Sequence, residues 1–452
     1  MSGRARSDKV RTMAEKSPGL HAVRRPVSGK NPEFDLAYTR TGPRGGLPVV
    51  VLPGGPGLAS VLPYRRFRAR AAKSGIDTIM IEHRGIGLSR ADTAGNPLPP
   101  TAINISSVID DIAAVLTAEN VSEAVLYGSS YGTYLASGFG IVHPERVAGM
   151  ILDSVVLSAH DHHIVRSHAR TLLWDGATPE LAECARLLRE LVTSGTDQTE
   201  ATDVARIVYE FGGQQLLTRV LTQAVAGRAE RTWKFIAGVG NSEINDEIAS
   251  AYVMELGPVG RIAFTELNYA PPPDGEPFDP APQFAATALK YPAFSGEPFD
   301  LPGRMPDFDW PTTIIAGTRD LRTPIPIAER AAALLRDVHV VKIDNGHSAL
   351  DTHQLAALHV IERMAGCNGE RLRTWEDRAV LAALRYRGSP TRFLARIIAM
   401  KLLSDKVFSS PRELRMRYTA AIGHRQADRY EKRSRRSLPR VLTGHREPGT
   451  GA

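Results

Sequence analysis

Short apolar runs that alternate with longer amphipathic segments are the feature that most restricts how this chain can fold. The runs lie at residues 34–41, 48–52, 76–81, 124–127, 147–152, 312–316 and 338–343. Between them, segments such as 108–120 and 354–364 carry apolar residues at helical spacing. Strands that alternate with helices form mostly parallel sheets covered by helices on both faces. We therefore predict an α/β fold.

The pattern is interrupted in the middle of the chain. Residues 157–305 lack buried-strand runs and read as helices followed by a proline-rich stretch. We expect a helical cap at 157–305 that separates a first part of the core, 31–156, from a second part, 306–368. A basic segment, 1–30, precedes the core, and a basic extension, 369–452, follows it.

Charge is distributed unevenly, although the net charge is only +7. Residues 1–30 carry +6 and residues 371–452 carry +13, which leaves −12 in between. An enzyme acting on nucleic acid usually places basic groups around its site, so a nucleic-acid partner is not expected. For the C-terminal extension, the pattern favours a helix near 393–403 packed on the acidic body, followed by a disordered tail. The alternative is docking on an anionic membrane or on nucleic acid.

The sequence predicts a cytoplasmic protein. It contains no run of about 18 uncharged apolar residues that could span a membrane. The basic N-terminus lacks the apolar stretch of a secretory signal. Two cysteines, Cys184 and Cys367, cannot form a disulfide framework, and we expect both to be thiols.

A candidate nucleophile follows the run at 124–127. Residues 128–132 read Gly-Ser-Ser-Tyr-Gly and fit the pattern Gly-x-Ser-x-Gly. A strand that turns abruptly into a helix holds the central residue in a strained conformation and requires neighbours without bulk. The turn presents the central side chain, here Ser130, at the sheet edge, where the helix supplies N–H groups. We predict that Ser130 is the nucleophile.

A serine hydroxyl needs a base, and the base needs a partner that orients it. Ligands in parallel sheets bind beyond the carboxyl ends of the strands. His347 follows the run at 338–343 and is the base that we predict among 13 histidines. Asp320 follows the run at 312–316 and is the predicted orienting acid, because the order Ser, Asp, His recurs in one large fold of serine hydrolases. Asp153, after the run at 147–152, is the alternative acid.

Two further N–H groups are needed to stabilise a tetrahedral oxyanion. One is expected from Tyr131, directly after the nucleophile. The other is expected from Pro53-Gly-Gly-Pro-Gly57, where Gly54 and Gly55 have N–H groups and Pro56 has none. We predict Gly55 as the donor and Gly54 as a residue lining the substrate site.

A cluster of four histidines lies in the predicted cap, namely His160, His162, His163 and His168. The cluster has no further ligands at the spacing of a metal centre. We predict neither a metal nor an organic cofactor.

Three motifs resemble those of the prolyl aminopeptidase (proline iminopeptidase) and tripeptidyl aminopeptidase group of α/β hydrolases. They are Pro-Gly-Gly-Pro-Gly at 53–57, Glu-His-Arg-Gly-Ile-Gly-Leu-Ser at 82–89 and Gly-Ser-Ser-Tyr-Gly-Thr at 128–133. The resemblance covers about residues 34–365. It implies the α/β-hydrolase fold with a helical cap inserted after the sixth strand. It also implies a serine hydrolase that releases N-terminal residues, proline especially, from short peptides through an acyl-enzyme.

The same resemblance implies cap carboxylates that hold the free amine of the substrate. Glu266-Leu-Asn-Tyr269 is similar to the family motif Glu-Asn-His-Tyr, which makes Glu266 the candidate anchor; the alternative is a solvated helix acid. Pro53 stands where the family has a histidine, and Glu82-His83 stand where it has Asp-Gln. These departures leave an esterase or amidase acting on small acyl substrates as the alternative function.

Overall fold

A computed structural model describes residues 3–29, 32–242, 252–366, 375–384 and 393–405. In this part of the chain, eight strands form one sheet. They are β1 (Leu20–Pro26), β2 (Glu33–Thr41), β3 (Val49–Leu52), β4 (Thr78–Ile81), β5 (Ala124–Ser129), β6 (Val147–Asp153), β7 (Thr312–Gly317) and β8 (Val338–Ile343). Their order across the sheet is β1-β2-β4-β3-β5-β6-β7-β8.

The sheet is parallel from β4 to β8 and antiparallel at one edge. β1 pairs with β2, and β2 with β4, in antiparallel register. β3 lies parallel to both β4 and β5, and β7 lies parallel to both β6 and β8. The carboxyl ends of β3, β5, β7 and β8 therefore share one edge, which brings their following loops together.

Helices cover both faces. They are α1 (Gly3–Glu15), α2 (Arg65–Lys73), α3 (Ile105–Ala118), α4 (Tyr131–Val142), α5 (His162–Ala169), α6 (Pro179–Thr193), α7 (Gln198–Val225), α8 (Glu230–Ser242), α9 (Ala281–Ala288), α10 (Leu301–Arg304), α11 (Ile325–Leu334), α12 (Ala349–Thr352), α13 (Gln354–Gly366), α14 (Trp375–Ala383) and α15 (393–405). Two π-helical turns, Arg170–Trp174 and Ile262–Glu266, lie in the cap.

The alternation of side chains along β3 separates the two layers of the core. Val49 and Val51 pack with Phe67 of α2 and Ile361 of α13. Their neighbours Val50 and Leu52 belong to a second cluster that includes residues of α3, α4 and α11. Because successive side chains on a strand point to opposite faces, an uninterrupted apolar strand must be covered on both sides. The predicted α/β architecture, with helices on both faces of a mostly parallel sheet, is confirmed.

The N-terminal segment, predicted as a basic stretch that precedes the core, contains α1 and β1. Residues 20–26 form β1, which pairs with β2 from Leu20↔Thr39 to Pro26↔Glu33. The two arginines of β1 form ion pairs: Arg24 Nε lies 2.7 Å from the exposed Asp35, and Arg25 Nε lies 2.8 Å from the buried Asp111. A half-exposed edge strand has few apolar residues, and β1 also carries two arginines, so its sequence does not show a strand pattern.

The cap lies between β6 and β7 and has its own apolar cluster. Leu188, Val208 and Leu221 are among its buried residues. Helix α15 packs Ile398 and Leu402 into the same cluster. Asp405, at the end of α15, accepts hydrogen bonds of 2.8 Å from the N–H and the hydroxyl of Thr232.

Several predictions for the basic extension and the cysteines fall outside the described residues. These include the tail beyond residue 405 and Cys367. Cys184 is buried as a free thiol beside the Thr218 hydroxyl. Within the described ranges, no helix combines the length and apolar composition needed to cross a bilayer.

Candidate active site

Ser130 lies at the sharp turn from β5 into α4. Its φ of 52° and ψ of −120° fall outside the regions that an L-residue normally adopts. The two glycines of the motif make this turn sterically feasible. A Cβ on Gly128 would lie 2.3 Å from the Gly132 carbonyl oxygen, and a Cβ on Gly132 would lie 2.0 Å from that of Leu52. The strained turn is therefore packed too closely for any other residue at these two positions.

The structure brings Ser130, His347 and Asp320 into one chain of hydrogen bonds. The Ser130 Oγ lies 2.9 Å from His347 Nε2. On the other side of the ring, His347 Nδ1 lies 2.9 Å from Asp320 Oδ2 and 3.1 Å from Oδ1. An ionised carboxylate only accepts, so Nδ1 carries the hydrogen and the unprotonated Nε2 faces the serine hydroxyl. This tautomer is the one that can take a proton from Ser130.

Asp320 is buried, yet it stays ionised. Burial alone would raise the pKa of this carboxyl, but the charge and hydrogen bond of His347 lower it to about 2. The N–H groups of Arg322 and Thr323 help, each donating to Oδ1 at 2.9 Å. For His347 itself, burial lowers the pKa, but the facing Asp320 outweighs that effect and raises the pKa above its ordinary value.

Asp153, the alternative acid, has a different set of partners. Its carboxylate accepts the N–H groups of Ala349 and Leu350, both at 2.9 Å, and the Tyr127 hydroxyl at 2.8 Å. Those N–H groups belong to the first turn of α12, which begins two residues after His347. Burial raises the pKa of Asp153 to about 6. Asp153 therefore holds the segment after His347, while Asp320 contacts the imidazole.

The glycine loop after β3 lies against the nucleophile. A Cβ on Gly54 would be 3.2 Å from the Ser130 Cβ, so this residue adjoins the reactive side chain. Gly55 has a φ of 119°, and its carbonyl accepts a 3.1 Å hydrogen bond from the Tyr269 hydroxyl of the cap. Tyr131 is buried at the first position of α4, where backbone N–H groups have no partner within the helix.

His83, one of the departures from the family motif, supports Tyr131. Its Nδ1 lies 2.7 Å from the Arg84 carbonyl, so this nitrogen carries the hydrogen. Nε2 is then free to accept the Tyr131 hydroxyl at 3.1 Å. Burial lowers the pKa of His83 to about 4 and keeps the ring neutral. His83 thus fixes the side chain whose backbone is a predicted oxyanion donor.

Glu266 lies at the end of a π-helical turn in the cap and contacts the core. Its Oε2 accepts the N–H of Ile105, the first residue of α3, at 2.9 Å. Burial raises the pKa of Glu266, and its charge acts on the buried Tyr131 hydroxyl. A second cap acid, Glu297, lies 3.3 Å from the Tyr134 hydroxyl and accepts the Ser158 hydroxyl at 2.8 Å. The cap therefore places two carboxylates beside the helix that follows Ser130.

Two cap residues lie near the triad: Glu210, which the sequence did not indicate, and His168, which it indicated only as a member of a histidine cluster. Glu210 of α7 is 2% exposed and accepts the N–H of Leu321, next to Asp320, at 3.1 Å. His168 of α5 lies close enough for the charge of Asp320 to act on it, although burial lowers its pKa. Neither follows a strand, so the positional rule that selected the loops could not select them. Within the described residues, no cluster of three or more metal-binding side chains occurs.

Comparisons with known proteins identify similar hydrolases. A proline iminopeptidase from Heyndrickxia coagulans is 30% identical over 115 residues, which are 25% of this chain and 37% of that protein. The chain therefore spans little more than a third of the length of this curated relative. Among solved structures, a proline iminopeptidase from Mycobacterium smegmatis has a TM-score of 0.43 at 15% identity, covering 77% of this chain and 98% of that chain. An esterase from Thermogutta terrifontis has a TM-score of 0.44 at 17% identity, covering 77% and 99%.

The resemblance to the proline iminopeptidase group, first indicated by the three motifs, is confirmed by the curated relative. A family model described as the alpha/beta hydrolase fold matches residues 48–354. That range includes the site residues predicted from the sequence, namely Gly54, Gly55, Ser130, Tyr131, Asp153, Glu266, Asp320 and His347. The chain belongs to the α/β hydrolase fold family.

Proposed function

We propose that this protein is a serine hydrolase in which Ser130, His347 and Asp320 act as nucleophile, base and orienting acid. The observation that carries the proposal is the unbroken chain of hydrogen bonds from Ser130 Oγ through the imidazole to Asp320. Each group is in the protonation state that acyl transfer requires, since Asp320 stays ionised and Nε2 faces the hydroxyl.

The reaction proceeds through an acyl-enzyme. Ser130 Oγ attacks the substrate carbonyl while His347 Nε2 takes its proton, and Asp320 stabilises the imidazolium. The oxyanion is held by the N–H groups of Gly55 and Tyr131. His347 then protonates the leaving group, and the acyl-enzyme is hydrolysed when a water molecule repeats the sequence.

The substrate class that we propose is a short peptide with a free N-terminus, from which the N-terminal residue, proline especially, is released. Two features support it: the similarity to proline iminopeptidases and the cap carboxylate Glu266 near Tyr131. A free α-amine has a pKa of about 8 and is largely cationic at neutral pH. One oxygen of Glu266 is engaged by Ile105, so the other is the proposed amine contact.

An esterase or amidase acting on small acyl substrates is the second candidate. It is favoured by the engagement of Glu266 with Ile105, because a carboxylate that caps α3 has a structural reason to be there without any amine. Pro53, in place of the histidine of the family motif, points the same way.

One comparison of substrates tests the two candidates. Purified protein is assayed on proline β-naphthylamide, on the same compound with its amine acetylated, and on p-nitrophenyl acetate. The proposal expects hydrolysis of the free amide and loss of the blocked one, whereas an esterase should favour the activated ester. Ser130→Ala should abolish all hydrolysis, and full retention of activity in that variant would refute the serine mechanism.

A further inference from the structure

Glu210 contacts the backbone or side chain of every residue that flanks Asp320. Its Oε1 accepts the Leu321 N–H at 3.1 Å, and its Oε2 lies 3.5 Å from Arg322 Nε. Its own carbonyl oxygen accepts the Arg319 Nε–H at 3.4 Å. A residue of the cap thus contacts the loop of the orienting acid on both sides.

The same residue also contacts the loop that carries His347. A Cβ on Gly346 would lie 2.8 Å from the Glu210 carbonyl oxygen and 3.2 Å from its Cβ. Helix α7 therefore rests directly on the backbone that precedes the imidazole. Three residues further along α7, the helix is interrupted at Gly213, where φ is 72°.

A carboxylate in this position is not explained by packing alone. Glu210 is only 2% exposed, so burying its charge is costly. Its ion pairs with Arg206, at 3.4 Å, and with Arg322 offset only part of that desolvation cost. An apolar residue of similar size would fill the space, but it would leave the Leu321 N–H without this acceptor. The carboxylate orients the Asp320 loop by accepting the Leu321 N–H, and a methyl group could not accept this bond.

We propose that Glu210 is a positioning residue through which the cap holds the Asp320 loop in alignment with His347. The alignment of the triad then depends on the seating of α7, and the cap takes part in the chemistry without touching the reacting atoms. This inference rests on the proposed roles of Ser130, His347 and Asp320.

The charges that face His347 give the proposal a specific signature. Burial lowers the pKa of His347, Asp320 raises it above its ordinary value, Arg322 lowers it and Glu210 raises it further. The charge of His347 also interacts with Asp153, which bonds to the first turn of α12. Arg206, on the same helix as Glu210, pairs with Glu210 itself, and Arg319 pairs with Asp344. Removing the charge of Glu210 should therefore lower the pKa of His347. Since the imidazole must be neutral to accept the serine proton, the acid limb of reactivity should move to lower pH.

The test measures the rate at which a fluorophosphonate probe labels Ser130 between pH 5 and 9. This readout requires no knowledge of the substrate. Glu210→Gln keeps an acceptor for Leu321 but removes the charge, and Glu210→Ala removes both. Glu200→Gln is the matched control, because Glu200 lies on the same helix and accepts the Trp233 indole N–H within the cap at 2.7 Å.

We expect the acid limb to move to lower pH in Glu210→Gln, and labelling by Glu210→Ala to fall about 10- to 100-fold, as for a small misplacement of a reacting group. The control should match the wild type. If Glu210→Ala does not fold, the pH profile of labelling in the nearly isosteric Glu210→Gln still tests the proposal. Wild-type rates and an unchanged acid limb in folded Glu210→Gln would overturn the inference. A wild-type protein that is not labelled at Ser130 would overturn the proposed function and this inference with it.

Discussion

The loops at the carboxyl edge of the sheet and the cap both place carboxylates near the candidate active site, but these carboxylates have different partners. In the loops, Asp320 faces an imidazole, and its pKa is lowered to about 2. In the cap, Glu210 and Glu266 each accept a backbone N–H of the core, from Leu321 and Ile105. The difference teaches that an acid near a reactive serine is not by that fact part of the reaction. Asp320 contacts the predicted base directly, whereas the two cap acids connect the cap to the core.

The largest effect is expected for the acid of the loops. Asp320→Asn should lower kcat by about 10⁴-fold, because the amide leaves the imidazole in the wrong tautomer. Asp153→Asn is the control, since Asp153 is equally buried but bonds to α12 and Tyr127. It should change kcat by less than about tenfold. Steady-state kinetics on any accepted substrate measure kcat of both variants. Equal losses in the two variants would contradict the assignment of Asp320, and not Asp153, as the orienting acid.

An intermediate effect is expected for the cap acid nearest to Tyr131. Glu266→Gln keeps an acceptor for the Ile105 N–H but removes the charge. KM for unblocked peptide amides should rise by about tenfold, or about 1.4 kcal/mol of lost binding, while hydrolysis of an uncharged ester should barely change. Glu183→Gln controls for the general acidity of the cap, because Glu183 is exposed and pairs with Arg186. Equal losses on amide and ester would make Glu266 purely structural.

The smallest effect is expected for the contact between the cap and the glycine loop. Tyr269→Phe removes the hydroxyl that donates the 3.1 Å hydrogen bond to the Gly55 carbonyl and keeps the aromatic ring. A neutral hydrogen bond contributes about 1 kcal/mol, so kcat/KM should fall by about fivefold. The loss should be the same for amides and esters, since the oxyanion loop serves both. A loss confined to amides would instead indicate that Tyr269 contacts the substrate amine and does not act through the glycine loop.

The sequence predicts the loops far better than the cap for a physical reason. Ser130, Asp320 and His347 each follow a predicted strand, and parallel strands bring such positions to one edge of the sheet whatever the intervening chain does. Glu210 lies inside a helical segment, and its partner Leu321 is distant in sequence, so only packing brings them together. Glu266 was found through a motif resemblance, but its bond to Ile105 was not foreseeable. β1 was missed because an edge strand with two arginines carries too little apolar pattern.

The insertion of the cap between β6 and β7 also governs how the chain can fold. Met150 of β6 pairs with Thr312 of β7, so forming this strand pair closes a loop of residues 154–311. Loop-closure entropy grows only logarithmically, by about 0.6 kcal/mol for each doubling of length, so a long insertion is tolerated at equilibrium. The kinetics are more sensitive, because pairing of strands far apart in sequence slows folding. We therefore expect Ser130 to take its place on its half of the sheet before Asp320 and His347 reach it, and reactivity to appear late in refolding.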